Sequence, residues 1–262
     1  MTTQTQEIVT TPIRVGVLGA QGRMGSNVCQ AVKEDPALEL VVAVDNPGEW
    51  CLIESAKPDV VVDFTVPAAT QENVRKLVAL GINVVVGTTG WDEEAIAKVE
   101  AQVSAHNATA SNQVGVLIVP NFSLSAVFTM KFATQAAKFF ESVEIIELHH
   151  PQKLDAPSGT ASHTAKAVSE VREAANIASS PDATESGFEA RGALVGQVRV
   201  HAVRLAGLVA HEEVLLGNPG EQLVIRQDSF DRKSFMPGVV MSIKKISQYP
   251  GVNVGLDTVL EF

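Results

Sequence analysis

Residues 147–161, ELHHPQKLDAPSGTA, concentrate titratable and small polar groups directly after an apolar run at residues 143–148. His149 and His150 can exchange protons near neutral pH, and Lys153 adds a fixed cation that can serve as a second proton donor. An apolar strand ordinarily ends in turn residues, whereas this one ends in groups that carry out acid–base chemistry. The pattern predicts a catalytic loop at the end of a strand.

The end of this segment, Ser158-Gly159-Thr160, predicts the start of a helix that Ser158 or Thr160 caps. A helix N-terminus that begins with glycine binds carboxylates through its free N–H groups. Beside two histidines and a lysine, it predicts a substrate that carries carboxylates. The alternative is an ordinary capped helix next to structural histidines and a solvated lysine.

A metal site is not expected here. Adjacent side chains on an extended backbone point in opposite directions, so His149 and His150 are badly arranged to bind one ion. The two cysteines, Cys29 and Cys51, lack metal-ligand spacing. We expect them to be reduced thiols of a cytoplasmic protein.

A second candidate site lies in VGVLGAQGRMG, where Gly19, Gly22 and Gly25 fall between a predicted strand and a predicted helix. Glycines at such positions permit a tight turn, close approach of a pyrophosphate and close helix packing. This GxxGxxG pattern is a variant of the dinucleotide-binding fingerprint. A glycine-rich turn without a ligand is the alternative.

Asp45 lies 20 residues beyond Gly25, at the end of the second predicted strand, where a carboxylate accepts hydrogen bonds from ribose hydroxyls. The same charge would repel a 2′-phosphate. Asn46 follows at a position where arginine would favour NADP, although Arg23 could partly compensate. NADH and NADPH therefore both remain open, with a lean towards NAD or dual use.

The elements around these sites alternate between β-branched runs and helical patterns, which is typical of a parallel sheet covered on both faces. Strands are predicted at residues 13–18, 40–44, 60–64, 84–86 and 114–119, and helices at 22–33, 70–80 and 91–104. The loops Gly87-Thr88-Thr89-Gly90 and Val119-Pro120-Asn121-Phe122 would then leave the sheet at the edge where such folds bind ligands. Either loop taken alone could be ordinary turn chemistry.

The rhythm changes after residue 122. We predict a long helix at 123–140 with a stripe of phenylalanines, a strand at 143–148, an alanine-rich helix at 159–175, a long loop at 176–192, strands within 197–209 and 222–227, and a closing helix at 234–248. The fold class is therefore α/β, with a doubly wound Rossmann-like domain and a second α+β domain with a mixed sheet. We assign residues 1–123 and 233–262 to the dinucleotide-binding domain, and residues 124–232 to substrate binding and oligomerisation.

Charge and hydropathy exclude several classes of partner. The net charge of −10 would repel both nucleic acid and an anionic membrane surface. The polar start MTTQTQEIVT has neither a basic nor an apolar region, so we expect a frayed leader and no signal peptide. The longest uncharged stretch, residues 107–130, is interrupted by Pro120 and Asn121 and is better explained by a strand, a turn and a helix start.

Seven motifs together resemble the 4-hydroxy-tetrahydrodipicolinate reductase family, also called the dihydrodipicolinate reductase family. They span nearly the whole chain in order: VGVLGAQGRMG, VVDFT, VVGTTG, PNF, ELHHPQKLDAPSGTA, HAVRLAGLVAHEEV and SFMPGV. The resemblance implies that His149 exchanges a proton, that Lys153 is the second catalytic donor, and that His150, Gly159 and Thr160 bind the substrate. It also implies a set of residues that contact NADH or NADPH: Gly19, Ala20, Gln21, Gly22, Arg23, Met24, Asp45, Gly87, Thr88, Thr89, Val119, Pro120, Asn121 and Phe122.

The resemblance further implies a homotetramer and a place in lysine and diaminopimelate biosynthesis. The implied reaction is hydride transfer from a reduced nicotinamide to a cyclic imine dicarboxylate, dihydrodipicolinate, giving tetrahydrodipicolinate. Two other readings fit the glycine turn: another amino-acid dehydrogenase on the same framework, or a protein that senses dinucleotide without turning it over. The first of these gives no reason for HHPQKLDAPSGTA. Val119 stands where alanine or serine is expected, which could tighten the nicotinamide pocket.

Overall fold

The computed structural model describes residues 11–45, 49–185 and 190–260, which form two compact units. The first unit consists of the described residues up to Phe122 and from Phe235 onward, and the second of those from Ser123 to Ser234. The expectations for the N-terminal leader and for Asn46 fall outside the described residues.

The described residues form eleven strands and seven α-helices. The strands are β1 (Ile13–Leu18), β2 (Leu38–Val44), β3 (Val60–Asp63), β4 (Asn83–Val86), β5 (Gly115–Ile118), β6 (Ser142–His149), β7 (Ala193–Val195), β8 (Val198–Arg204), β9 (Ala210–Asn218), β10 (Glu221–Ser229) and β11 (Gly251–Val254). The helices are α1 (Gly25–Glu34), α2 (Trp50–Ala56), α3 (Pro67–Ala79), α4 (Glu93–Thr109), α5 (Leu124–Ala137), α6 (Gly159–Ala174) and α7 (Met236–Lys245).

The first unit is built on a six-stranded parallel sheet with the order β11-β5-β4-β3-β1-β2. Every residue of β3, β4 and β5 is buried, because helices cover both faces of the sheet centre. Helix α7 packs against α1, and Lys244 forms a 2.6 Å ion pair with Asp35 at the end of α1. These contacts attach α7, from the C-terminal part of the chain, to α1, from the N-terminal part.

The second unit contains a five-stranded mixed sheet with the order β10-β9-β6-β8-β7. Its central strand β6 is parallel to β8 and antiparallel to β9. Helices α5 and α6 cover one face, where Ala133, Ala165, Ile145 and Leu216 belong to a buried apolar cluster. The opposite face carries exposed apolar side chains such as Leu194 and Val224.

Three helices begin where the sequence supplies a capping side chain. Asp92 accepts a hydrogen bond from the N–H of Ala95, Ser123 from that of Ala126, and Ser158 from that of Ala161. Such caps satisfy donors that the first turn of a helix leaves open. Among the described residues no helix is both long and apolar enough to cross a bilayer, and residues 107–130 are divided between α4, β5 and α5.

The predicted fold class is confirmed, and the predicted strands and helices lie within a few residues of those observed. Four elements were not predicted, namely α2, β7, β9 and β11. The predicted end of the long helix was wrong, because α5 stops at Ala137. The side of α5 that faces the core is rich in alanine. Phe132 and Phe139 of the predicted stripe are exposed. In the predicted loop at 176–192 the described residues form no helix or strand.

Candidate active site

Strand β6 presents Glu147 and His149 on one face, because residues two apart on a strand point the same way. Nδ1 of His149 lies 2.5 Å from Oε2 of Glu147, whose side chain is fully buried. Burial raises the pKa of Glu147, but hydrogen bonds from Arg204 and His149 outweigh it and hold the pKa below its ordinary value. An ionised carboxylate only accepts hydrogen bonds, so Nδ1 is the ring nitrogen that carries the proton.

Arg204, the last residue of β8, completes this pair. The parallel register places it beside His149, and its Nη1 and Nη2 each donate to one Glu147 oxygen at 2.8 Å. Nη2 also donates to the backbone carbonyl of Asp155 at 2.6 Å. Arg204 therefore fastens both the buried carboxylate and the loop that follows it.

The surroundings of His149 favour proton exchange at its second ring nitrogen, Nε2. Burial lowers the pKa of His149, the charges of Lys153 and Arg204 act in the same direction, and Glu147 opposes them. A lowered pKa weakens the hold of the imidazolium on its proton. No described residue hydrogen-bonds Nε2, which leaves that nitrogen open to a ligand.

Lys153 lies on the loop after β6 and is paired within the loop. Its Nζ donates to the two oxygens of Asp155 at 2.7 and 3.0 Å. The backbone N–H of Gly159 donates to the same carboxylate at 3.3 Å. An ammonium group and a helix N–H thus converge on one carboxylate, which is the arrangement that an external carboxylate requires.

Helix α6 begins at Gly159, after the cap residue Ser158. A Cβ atom added to Gly159 would meet no atom within 4 Å, so neither packing nor backbone strain explains a glycine there. Thr160 occupies the next position of the first turn. Nδ1 of His150 is buried without a hydrogen-bond partner among the described residues, and a ligand could satisfy it.

The predicted cofactor loops lie in the first unit, at the carboxyl edge of its parallel sheet. Residues 19–24 connect β1 to α1, Asp45 follows β2, residues 87–89 follow β4, and residues 119–122 follow β5. The strand order brings these connections to one edge. Open parallel sheets bind ligands at this edge.

The three glycines of the first turn are needed for different reasons. Gly19 has a φ of 75°, and a Cβ there would lie 2.6 Å from the carbonyl oxygen of Phe64. At Gly25 a Cβ would lie 2.0 Å from the carbonyl oxygen of Gly19, so the helix can pack on the turn only with glycine. Gly22 is less confined, with its nearest atom at 3.1 Å, and it is exposed.

A cavity of about 500 Å³ opens beside this turn and is lined by Gly19, Gly22, Asp45, Phe64 and Thr65 among others. Both Asp45 oxygens lie 3.0 Å from the backbone nitrogen of Gln21, which donates to them. The cavity has the size of a small-ligand pocket and combines a glycine turn with a carboxylate. These features fit the adenosine half of a nicotinamide dinucleotide.

The other two loops pack against Phe64, the residue that follows β3. A Cβ at Gly87 would lie 2.1 Å from the ring of Phe64, which also contacts the ring of Phe122 at 5.6 Å between centroids. The N–H of Val119 donates to the carbonyl of Val86 at 2.9 Å, and Val119 is buried. Its side chain is therefore part of the packing behind the loop.

Asp63, the last residue of β3, connects the loop after β3 to the loop after β4. Its fully buried carboxylate accepts hydrogen bonds from the N–H and hydroxyl of Thr65 at 2.8 and 2.6 Å and from Asn73 at 3.1 Å. The hydroxyl of Thr88 donates to its backbone carbonyl at 3.3 Å. The loops after β3 and β4 are thus tied to one buried group.

Two family models match the chain: one described as "Dihydrodipicolinate reductase, N-terminus" over residues 13–122 and one described as "Dihydrodipicolinate reductase, C-terminus" over residues 125–260. The chain belongs to the dihydrodipicolinate reductase family. A 4-hydroxy-tetrahydrodipicolinate reductase from Beutenbergia cavernae is 55% identical over 95% of this chain and 99% of its own. The corresponding protein of Bifidobacterium animalis subsp. lactis is 53% identical over the same shares.

A solved dihydrodipicolinate reductase from Paenisporosarcina sp. TG-14, described as dipicolinate bound, matches with a TM-score of 0.85 at 34% identity. The match covers 95% of this chain and 100% of that one. An amine dehydrogenase from Mycobacterium smegmatis, at 15% identity and a TM-score of 0.57, shares the fold alone. The predicted family is confirmed, and the chain is an oxidoreductase of a family that uses a pyridine nucleotide.

Three residues of the second unit that belong to this site were not predicted from the sequence: Glu147, Asp155 and Arg204. Glu147 had a signal, since an acid two residues before His149 in an apolar strand shares its face. No local sequence pattern indicated Arg204, because its position beside His149 follows only from the pairing of β6 with β8. In the first unit, Phe64 and Thr65 of the cavity lining were missed as well. No cluster that could hold a metal ion occurs among the described residues.

Proposed function

We propose that this chain is a 4-hydroxy-tetrahydrodipicolinate reductase, which reduces the cyclic imine dicarboxylate dihydrodipicolinate to tetrahydrodipicolinate with NADH or NADPH. The observation that carries the proposal is the pairing of His149 with a buried carboxylate beside the anion-binding group of Lys153 and Gly159. This reaction belongs to lysine and diaminopimelate biosynthesis. The 50–55% identity to relatives of this name over nearly their whole length supports the assignment.

The substrate would be held by its carboxylates. Lys153 and the N–H of Gly159 already converge on the carboxylate of Asp155, and Thr160 and His150 lie beside them in the chain. A planar ring with two carboxylates can engage the helix end and the cation together. Holding the ring in a fixed position reduces the entropic cost of reaction. The dipicolinate bound to the Paenisporosarcina relative is such a ring.

His149 would supply the proton. A bound reduced nicotinamide provides the hydride, and its delivery to the imine leaves electron density on the ring. Proton donation from Nε2 of His149 then neutralises that charge, while Nδ1 keeps its hydrogen bond to Glu147. Such general acid catalysis typically contributes about 100- to 10,000-fold to the rate. Lys153 would orient and polarise the substrate as the second catalytic donor.

The cofactor would be held by the predicted turn and loops of the first unit. The exposed glycine of the turn, Gly22, lets a pyrophosphate approach the backbone, and Asp45 accepts hydrogen bonds from the adenosine ribose. The Asp45 charge favours NADH, and Arg23, exposed in the same turn, favours NADPH. We therefore propose that the enzyme uses both.

We further propose a cytoplasmic homotetramer. Both cysteines are free, as expected in a reducing compartment. The face of the second sheet that lies away from α5 and α6 carries exposed apolar residues that a partner copy would bury. No contact with nucleic acid or membrane is proposed, since the net charge is −10.

Replacing Gly159 with alanine tests the substrate assignment. A methyl group there meets open space, so Gly159→Ala should leave the thermal midpoint unchanged. It would obstruct a carboxylate at the helix end, where a hydrogen bond to a charged group is worth about 1.5–3 kcal/mol, so KM for the imine should rise about 10- to 100-fold. Gly217→Ala is the matched control, because it also meets open space in the second unit. An unchanged KM in Gly159→Ala would contradict the assignment.

The chemical step is tested with His149→Gln. Loss of nicotinamide absorbance is followed with the freshly generated imine, and kcat should fall by about 100- to 10,000-fold while cofactor binding is retained. His163→Gln, an exposed histidine on α6, should retain full activity. If the wild type binds the cofactor but never oxidises it with this imine, the proposed reaction is wrong and a non-catalytic dinucleotide sensor is favoured.

A further inference from the structure

Glu147 is a fully buried carboxylate of the second unit that receives four hydrogen bonds and that the proposed chemistry does not use directly. Its oxygens are engaged by His149 Nδ1 at 2.5 Å, by both terminal nitrogens of Arg204 at 2.8 Å and by the N–H of Ser158 at 3.0 Å. The other core-facing residues before it on β6 are Val143 and Ile145. Packing alone would favour a third apolar residue there, because an unpaired buried charge is costly.

The first contact determines what His149 can do. A carboxylate hydrogen-bonded to Nδ1 fixes the orientation of the ring and keeps the proton of a neutral imidazole on Nδ1. An imidazolium in this position can therefore lose only the proton on Nε2. The same pair stabilises the charged ring before it donates, since Glu147 opposes the effects that lower its pKa.

The contact with Ser158 reaches a different part of the site. Ser158 is the cap of α6, and the next N–H along the chain belongs to Gly159. The Glu147 carboxylate thus binds both the His149 ring and the N-terminus of α6, where the substrate carboxylate is proposed to bind. Arg204 joins the assembly a second time, through the backbone carbonyl of Asp155.

We propose that Glu147 is the positioning residue of this active site, which fixes His149 and the N-terminus of α6 relative to each other and directs proton donation to Nε2. The proposal rests on the proposed function only for the step in which the proton is used. Arg204 supplies the countercharge that keeps Glu147 ionised in the core.

The charged groups around His149 determine the effect of removing Glu147. Lys153 and Arg204 both lower the pKa of His149, and Glu147 raises it. Glu212, opposite Glu147 on β9, carries a pKa raised to about 7 by burial, so it is largely uncharged below neutral pH. Without the Glu147 charge, the pKa of His149 should fall further, and activity that needs the protonated ring should be lost at a lower pH.

Glu147→Gln is the direct test, because glutamine keeps the length of the side chain and an oxygen for the Ser158 N–H. We expect kcat to fall about 10- to 100-fold, KM for the imine and the affinity for NADH to stay within about threefold, and the high-pH limb of kcat to move to lower pH. Glu144→Gln is the matched control: Glu144 lies on the same strand and pairs with His201 and Arg191, but on the opposite face. Unchanged kcat in Glu147→Gln, or a loss with the limb unmoved, overturns the proposal.

A measurement on the wild type covers the case in which Glu147→Gln does not fold. Two-dimensional NMR of the ¹⁵N-labelled histidine rings reports which nitrogen of each neutral ring is protonated, and the spectrum of His149→Gln identifies the His149 signal. We expect its proton on Nδ1, and a proton on Nε2 would overturn the proposal. This reading requires no substrate, so it separates failure of the positioning role from failure of the proposed reaction.

Discussion

Two buried carboxylates on neighbouring strands have pKa values that are shifted in opposite directions, because their surroundings differ. Glu147 and Glu212 are register partners, and both are almost fully buried. Glu147 receives hydrogen bonds from Arg204 and His149, which hold its pKa low. Oε1 of Glu212 has no hydrogen-bond partner among the described residues, and burial with the charge of Glu147 raises its pKa to about 7. The site thus contains one permanent and one pH-dependent negative charge.

This difference predicts how stability changes with pH. The folded-state pKa of Glu212 lies above its ordinary value of 4.5, so its stabilising contribution is fully present below pH 4.5 and is lost as pH rises towards 7. At pH 8 the penalty is up to about 3 kcal/mol. Glu212→Gln should therefore raise the thermal midpoint at pH 8 and change it little at pH 5. Glu170→Gln, on the exposed side of α6, is the control. The same pH dependence in Glu212→Gln and wild type would contradict this.

Asp155 occupies the donors that the substrate is proposed to use. Lys153 lowers the pKa of Asp155 through a hydrogen bond, so Asp155 is ionised at neutral pH and competes with an external carboxylate. Exposed ion pairs are worth about 0.2–1 kcal/mol, so Asp155→Asn should tighten dipicolinate binding by up to about fivefold. Calorimetric titration of the variant and of Glu170→Gln measures the change. Weaker binding in Asp155→Asn would mean that Asp155 organises the site instead of competing for it.

The connection between β1 and α1 shows how one element serves both the fold and the proposed ligand. Gly25→Ala places a methyl group 2.0 Å from a backbone oxygen, and it should destabilise the first unit by about 3 kcal/mol. Gly22→Ala has 3.1 Å to its nearest atom, so most of the stability should remain while NADH affinity falls. Thermal unfolding and NADH fluorescence titration separate the two effects. Equal loss of stability in both variants would contradict the proposed division of roles.

Elements with a strong local pattern could be predicted from the sequence, and those defined by distant partners could not. Strand β1 and the start of α6 were predicted at their observed residues, because a valine-rich run and a capping serine are local signals. In β9, the adjacent acids Glu212 and Glu213 interrupt the alternation of apolar and polar residues that indicates a strand. The strand is defined by its pairing with β6 and β10. The four-residue strand β11 has no signal apart from its neighbour β5.

The same rule applies to the candidate site. His149, Lys153 and Gly159 fall within one short segment, so their types and spacing were visible in the sequence. Arg204 is 55 residues beyond His149 and comes beside it through the parallel pairing of β6 and β8. Long-range pairing cannot be read from the local pattern, so the ion pair between the buried Glu147 and Arg204 required the structure.

At the scale of the whole molecule, the described helices of the second unit cover one face of its sheet. Helices α5 and α6 pack on the face of Ile145, and the alternation of β6 places Ile146 and Leu148 on the other. On that other face Val224 pairs with Leu215 and is 46% exposed. Exposed apolar side chains on a sheet face mark a surface that another chain can cover.

From this apolar face we predict the oligomeric state of the protein. If four copies associate through it, light scattering after gel filtration should give four times the chain mass of 27.8 kDa. Val224→Glu would place an unpaired charge in the interface and should reduce the mass to that of a smaller species. Leu223→Glu is the matched control, because Leu223 is similarly exposed but points to the opposite side of β10.

His149 is the last residue of β6 and Lys153 lies on the loop that follows it. An assembly that stabilises this sheet would therefore also stabilise the site. Activity should then fall with the mass in Val224→Glu, and a full-sized assembly in that variant would show that another surface joins the copies.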